Sequence, residues 1–311
     1  MSIQNVALIG ASGTLGPSIL AALKTSPYTP FVLNRASSKS TYPSTNVITV
    51  PDDLNIPALT ALFNDHAIDA LVLAIAGSHV ETQKKLIDAA FAARVQLVIP
   101  AEFGSCDSDD DATNALLPLM AGKKRVREYL QSLESKERGE GKPNLAWTSL
   151  VTGHFFDWGL EHNLLCIDVQ RKIAHLLDGG DIKFSGSNLS FIARAVVAIL
   201  ALPDAARNKL LYVHSHHVTQ LELLAALEKV MGEKFERLQE SSKEELAEAR
   251  PKMLKGDPEA TEEVVAVHGV VASDWAGKST FANQLLGLEE EDLEEVVARV
   301  VQKMKGKATS N

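Results

Sequence analysis

Val6-Ala7-Leu8-Ile9-Gly10-Ala11-Ser12-Gly13-Thr14-Leu15-Gly16, near the start of the chain, joins four apolar residues to three glycines in a G-x-x-G-x-x-G spacing. The apolar run is what a buried parallel strand requires. Ile19, Leu20, Ala22 and Leu23 then repeat with helical period, and Pro17 falls in the first helical turn, where its missing N–H costs nothing. Strand, glycine turn and helix in this order bring backbone N–H groups and a helix N-terminus up to a pyrophosphate, with no side chains in the way. A glycine spacing alone is a weak signal, but between a strand and a helix it points to a dinucleotide site. Gly10, Ser12, Gly13, Thr14, Leu15 and Gly16 are the residues expected to form it. The bland alternative is a glycine turn that holds no ligand.

The end of the second strand bears on which dinucleotide. Phe31-Val32-Leu33 reads as strand and is followed by Asn34-Arg35-Ala36-Ser37-Ser38-Lys39. An NAD site wants a carboxylate here for the ribose hydroxyls, and the segment has none. Arg35, with Ser37 and Lys39 in support, suits a 2′-phosphate. The expected cofactor is NADP(H); a solvated loop arginine is the alternative.

With 311 residues the chain can form one large or two modest domains. Its formal charge of −9 disfavours a nucleic-acid surface. Cys106 and Cys166 lie far apart with no C-x-x-C, which suggests neither a disulfide framework nor a zinc site. The first residues do not resemble a signal peptide, and no apolar run approaches the roughly 20 residues of a membrane span. A cytoplasmic setting without membrane contact is expected.

Further strands are read at Asn46–Val50, Ala70–Ala76 and Val95–Ile99, with helices over Leu54–Phe63 and about Glu81–Ala93. Strands alternating with helices at these spacings mean βαβ units and a doubly wound parallel sheet of Rossmann type, an α/β fold. Ligands of such sheets lie outside the carboxyl ends of the strands. Ala76 and Phe103 are therefore expected at the cofactor, and His79 and Glu102 at a substrate pocket. Asp107 to Asp111 fails the calcium-loop pattern at Ala112 and Pro118 and reads as a solvated loop, and no metal is expected.

Pro118 opens a helix to about Leu133, whose apolar stripe is Leu119, Met120, Val126, Leu130 and Leu133. Lys123 falls inside that stripe. Either its stem packs while the ammonium reaches solvent, or it is a desolvated proton acceptor. Glu134–Asn144 reads as a surface loop. Leu145–Val151 is a strand, followed by Thr152-Gly153-His154-Phe155-Phe156-Asp157-Trp158, where His154, Phe155 and Trp158 are placed to wall a pocket or to pack beneath a lid. Leu189–Leu202 reads as helix and Leu210–Val213 as strand, then His214 and His216 could share a face without a third metal ligand. From Val218 onward the chain reads as helical. Thr219 with Glu222, and Ser242 with Glu245, form capping boxes, Gly232 and Pro251 end those helices, and a last helix covers about Glu289–Met304. Gly277-Lys278-Ser279 lacks the glycine and strand that a P-loop needs. Only the tail after Lys305 reads as disordered.

GASGTLG at Gly10–Gly16, Arg35, IPAEFG at Ile99–Gly104 and KKRVR at Lys123–Arg127 together resemble the NmrA-like, isoflavone-reductase-like branch of the atypical short-chain dehydrogenases, in a fungal style. The resemblance covers nearly the whole chain. It implies an NADPH-dependent reductase in which Lys123, matching a K-x-x-[VI]-R setting, replaces the absent Tyr-x-x-x-Lys pair. Ala101 departs from the serine of the plant reductases, so the substrate does not transfer.

The expected division is residues 1–152, completed by about 186–217, as the NADP-binding domain, and 153–185 with 218–311 as the substrate domain. The expected substrate is a small, aromatic, enone or quinone-methide-type molecule, and the expected assembly a monomer or homodimer. The alternative is a catalytically silent NADP(H)-sensing regulator that acts through a protein partner.

Overall fold

The computed structural model describes residues 2–139 and 144–308. The chain forms two compact units. One comprises the residues up to Phe103, Pro118–Leu150 and Ser190–Leu211; the other comprises Gly104–Leu117, Val151–Leu189 and the chain from Tyr212.

The elements follow in order as β1 (Asn5–Ile9), α1 (Gly16–Lys24), β2 (Thr29–Arg35), β3 (Asn46–Val50), α2 (Ile56–Asp65), β4 (Ala70–Leu73), α3 (Val80–Ala92), β5 (Leu97–Ile99), α4 (Asp111–Leu116), α5 (Pro118–Gln131) and β6 (Ala146–Val151). Next come β7 (His154–Phe155), α6 (Phe156–Glu161), β8 (Ile167–Asp168), β9 (Ile173–Leu177), β10 (Phe184–Ser187), α7 (Leu189–Ala201) and β11 (Lys209–Tyr212). The chain closes with β12 (His216–Val218), α8 (Gln220–Met231), β13 (Glu236–Glu240), α9 (Ser242–Met253), α10 (Pro258–Val271) and α11 (Leu293–Ala308).

The first unit is built on a seven-stranded sheet in the order β11-β6-β5-β4-β1-β2-β3. From β3 to β6 every neighbouring pair is parallel, with Val6 opposite both Pro30 and Ala70. Strand β4, and β1 after Asn5, are apolar because helices cover a parallel sheet on both faces. Leu71, Leu73, Ile87, Val98 and Trp147 belong to the core on one of those faces. The chain winds from β1 outward to β3 and returns on the other side through β4. The switch point therefore lies between β1 and β4, where the loops at their carboxyl ends diverge and leave a crevice. This is the doubly wound, Rossmann-like sheet expected from the sequence.

The second unit carries two small sheets, β12-β10-β7 and β13-β9-β8. Helices α6, α8, α10 and α11 supply its core with Phe156, Leu223, Leu227, Val267, Val270 and Val297. The capping box of Thr219 and Glu222 is present in full, and Gly232 closes α8 at φ +68°.

Several local expectations are corrected. The chain after Val218 is not wholly helical, because Glu236–Glu240 pairs in parallel with β9 through backbone bonds that its polar side chains do not reveal. Ser241, not Ser242, caps α9, and Pro251 lies inside that helix near its end, where the Leu254 N–H still reaches the Arg250 carbonyl. Helix α11 runs past Lys305. Asp107 is no solvated loop residue: it is buried, with Tyr212 Oη at 2.8 Å and Lys278 Nζ at 2.5 Å. Arg138, in the expected surface loop, is buried and donates to the carbonyls of Ala90 and Phe91 in the last turn of α3 and of Ala93 and Val95 just past it. The expectations for residues 140–143 and 309–311 fall outside the described residues.

Candidate active site

The glycine turn is shaped by its own backbone first. Gly10 has φ +87°, and a β-carbon there would overlap the Ala74 carbonyl; one on Gly16 would overlap the carbonyl of Gly10. Both glycines are required for the chain to fold back on itself. Gly13 differs. Its φ is ordinary, and a β-carbon would sit at 3.4 Å from the Gly10 oxygen and 3.7 Å from the Ala74 oxygen, both ordinary contacts. Nothing inside the protein demands glycine at this exposed position. An open cradle there, beside a helix N-terminus with no side-chain cap, fits a pyrophosphate.

Arg35 ends β2 and is exposed, as are Ser12, Thr14, Lys39, Ala76 and His79, while Leu15 is buried beneath the turn. A cavity of about 490 Å³ lies between α1 and the loop after Lys39, lined by Ser12, Pro17, Leu20, Lys24, Ser40 and Tyr42 among others. Lys24 Nζ holds this loop through the Pro43 carbonyl at 3.1 Å. A carboxylate that sequence order hides also stands at this corner. Asp52, just past β3, accepts from Ser37 N at 3.1 Å and Ser37 Oγ at 2.6 Å. Those bonds, with the Arg35 charge, hold its carboxyl below the usual range.

Lys123 is 8% exposed on the buried face of α5. Its stem lies across Gly77, where a β-carbon would come within 2.8 Å of Cε, and its Nζ donates to the main-chain carbonyl of Glu102. The first of the two sequence alternatives, an ammonium carried out to solvent, does not describe this side chain. Glu102 is buried as well, and its Oε2 accepts from Arg127 Nη1 at 3.1 Å, with side-chain exposures of 1% and 4%. It therefore holds protein rather than lining a pocket. Phe103 is buried at φ +31°.

In the second unit, His154 is 3% exposed, and its Nε2 lies against Gly269, where any β-carbon would overlap the ring. Burial pushes its imidazole down to about 4, against the smaller opposing effect of a hydrogen bond with the Ala266 backbone. It is a packed histidine, and the expectation that it walls a pocket is corrected. Phe155 and Trp158 are half-buried, and Trp158 stacks on His162 with centroids 4.3 Å apart. His214 stacks on His217 at 5.2 Å and His216 on Phe156 at 4.2 Å, and among the described residues no group of side chains is arranged to hold a metal.

A profile of the NmrA-like family matches residues 2–152. The chain is 30% identical over 304 residues to oxidoreductase aprR of Aspergillus flavus, spanning 95% of this chain and 98% of that protein. The chain belongs to the NmrA-like family. Solved structures share the fold of this NmrA-like chain at low identity. A leucoanthocyanidin reductase–NADPH complex from Vitis vinifera has a TM-score of 0.78 at 16% identity, and AtPrR2 with NADP+ and (+)pinoresinol has 0.77 at 18%, each covering 96% of this chain and 99% of the other.

Sequence reasoning missed Arg127 and Gln83 as buried polar residues. Arg127 was visible only as part of a motif, although it falls inside the apolar stripe, between Lys123 and Met120. Gln83, on α3, accepts from the Ala101 N–H at 3.0 Å. The signal for both was their helical register with buried neighbours, Gln83 with Leu86 and Ile87, and Arg127 with Lys123 and Leu130.

Proposed function

We propose that this NmrA-like protein is an NADPH-dependent reductase acting on a small aromatic, enone or quinone-methide-type molecule, with Lys123 as its proton-transfer group. The observation that carries the reading is Lys123 itself: a lysine buried on α5 whose amine meets the loop at the carboxyl end of β5. Its relative aprR, similar over the whole chain, is named an oxidoreductase. NADPH, when bound, supplies a hydride to an electrophilic substrate carbon.

The chain does the rest. Gly10, Gly13 and Gly16 admit the pyrophosphate, the backbone of Ser12, Thr14 and Leu15 follows its course, and Arg35 with Lys39 takes the 2′-phosphate. Ala76 and Phe103 flank the cofactor at the ends of β4 and β5. His79, Phe155 and Trp158 are the proposed substrate-pocket residues, and 153–185 with 218–311 the proposed substrate domain. As the substrate carbon gains its hydride, Lys123 Nζ gives a proton to the oxygen that develops negative charge, or takes one from a substrate phenol. The working state is a monomer or homodimer in the cytoplasm; among the described residues no helix is long and apolar enough to cross a membrane.

The test replaces Lys123. Lys123→Ala is expected to leave NADPH affinity nearly unchanged and to lower kcat by about 10²–10⁴, the usual worth of a positioned acid or base. Glu128→Ala, on the exposed face of α5, is expected to change neither. NADPH oxidation across a panel of phenolic enones and quinone methides is the readout. Turnover by Lys123→Ala at the unmutated rate overturns the mechanism, and tight NADPH binding without turnover on any acceptor replaces the reductase with a sensor.

A further inference from the structure

Helix α5 grips one residue, Glu102, at two points. Lys123 donates to its main-chain carbonyl, and Arg127, one helical turn later, donates to its carboxylate. The peptide so gripped is bent. The Glu102 N–H turns back to the Pro100 carbonyl at 2.8 Å, across a three-residue turn, and Phe103 follows at φ +31°. Such backbone is unfavourable for a bulky residue and persists only where its surroundings over-determine it. The surroundings here are side chains from two helices: Gln83 of α3 on the Ala101 N–H, and Lys123 and Arg127 of α5 on Glu102.

A buried ion pair is a poor source of stability, because desolvating both charges cancels most of their attraction. What it supplies is a fixed register. Glu102 Oε1 has no hydrogen-bond partner among the described residues, so Arg127 on Oε2 is what anchors this carboxylate. The carbonyl that receives Lys123 belongs to the same residue.

We infer that the Glu102–Arg127 pair positions Lys123: the anchored carboxylate fixes the bent Pro100–Phe103 peptide, and that peptide's Glu102 carbonyl holds the amine in one place. Arg127 and Glu102 are positioning residues that touch no substrate. The inference rests on the reading of Lys123 as the proton-transfer group only for its functional consequence; the geometry it describes is measurable without turnover.

The experiment uses the full chain without cofactor. Trace acetic anhydride labels amines, and mass spectrometry of tryptic peptides reports the rate at Lys123 relative to exposed Lys255. In the unmutated protein Lys123 is expected to label at least about tenfold more slowly than Lys255. Glu102→Gln, which keeps the side chain's shape, and Arg127→Ala should each raise the Lys123 rate about tenfold, the size of coupling between touching residues. Arg127→Lys, which keeps the buried charge, should restore most of the protection. Should Arg127→Ala not fold, Glu102→Gln decides alone. Unchanged Lys123 labelling in these variants overturns the inference, as does a rise shared by all lysines, which marks general loosening. A failed reading of Lys123 shows separately, as full turnover by Lys123→Ala.

Discussion

A histidine ring removed from water holds its proton weakly, and burial lowers His154, His214, His216 and His268 of the second unit in this way. Burial pushes His154 down to about 4; His216, stacked on Phe156 at 4.2 Å, is also pushed to about 4 by burial, against the smaller pull of Glu291 and Glu290. In the unfolded chain both titrate near the ordinary value of 6.5. Between those values the unfolded chain binds protons that the folded chain refuses, so stability is complete above pH 6.5 and is lost as pH falls toward 4. Going from pH 7.5 to 5 should cost about 2 kcal/mol through His154 alone. Denaturant unfolding of the native protein and of His154→Gln at both pH values checks this. The variant should lose less on acidification by about that amount; an equal loss in both proteins would show that the ring is not held neutral.

Elements whose cause is local were legible in the sequence. The period of α5, the capping box of α8 and the strand–turn–helix of β1 and α1 each depend on residues within a few positions of one another. Elements whose cause is a distant partner were not. The short strands β9, β10 and β13 are specified by backbone pairing across long sequence separations, and Glu236–Glu240 carries only one apolar residue. The site divides along the same line. Lys123 announced itself by breaking its own helix's pattern, whereas the burial of Glu102 and Arg127 depends on each other across two elements. His154 misled because a polar aromatic past a strand end looks the same whether it faces an opening or Gly269. Within the glycine turn the three glycines have separable roles, and this yields a test. Gly10→Ala should cost the fold about 3 kcal/mol or more, since it combines positive φ with overlap on Ala74. Gly13→Ala should melt at the native temperature yet bind NADPH at least about tenfold more weakly, or about 1.4 kcal/mol. Calorimetry and a fluorescence titration separate the two effects. Native NADPH affinity in Gly13→Ala would remove the cofactor from this turn.

At the scale of the whole molecule, membership of the NmrA-like family fixes the fold but not the use made of it, since one fold hosts both catalysts and silent binders. Cofactor choice can be tested without a substrate. The chain's formal charge is −9, so its field as a whole does not favour a ligand as anionic as NADPH. Any preference for the extra phosphate must come from local cations, and Arg35 with Lys39 are the exposed ones at the end of β2. Asp52 works against them: its carboxylate already occupies Ser37 and faces Arg35. We predict that Arg35 prevails and that NADPH binds at least tenfold more tightly than NADH, about 1.4 kcal/mol. At equal saturating concentrations that difference appears as extra stability of the bound form. It should raise the unfolding temperature by about 2 °C more with NADPH than with NADH. Arg35→Ala should shrink the gap, and Asp52→Asn should widen it by removing the competing charge. The gap should also narrow as salt rises, because these side chains are exposed and screened. Equal shifts with both cofactors in the unmutated protein would refute the role of Arg35, and an unchanged gap in Asp52→Asn would show that its carboxylate does not compete for the phosphate.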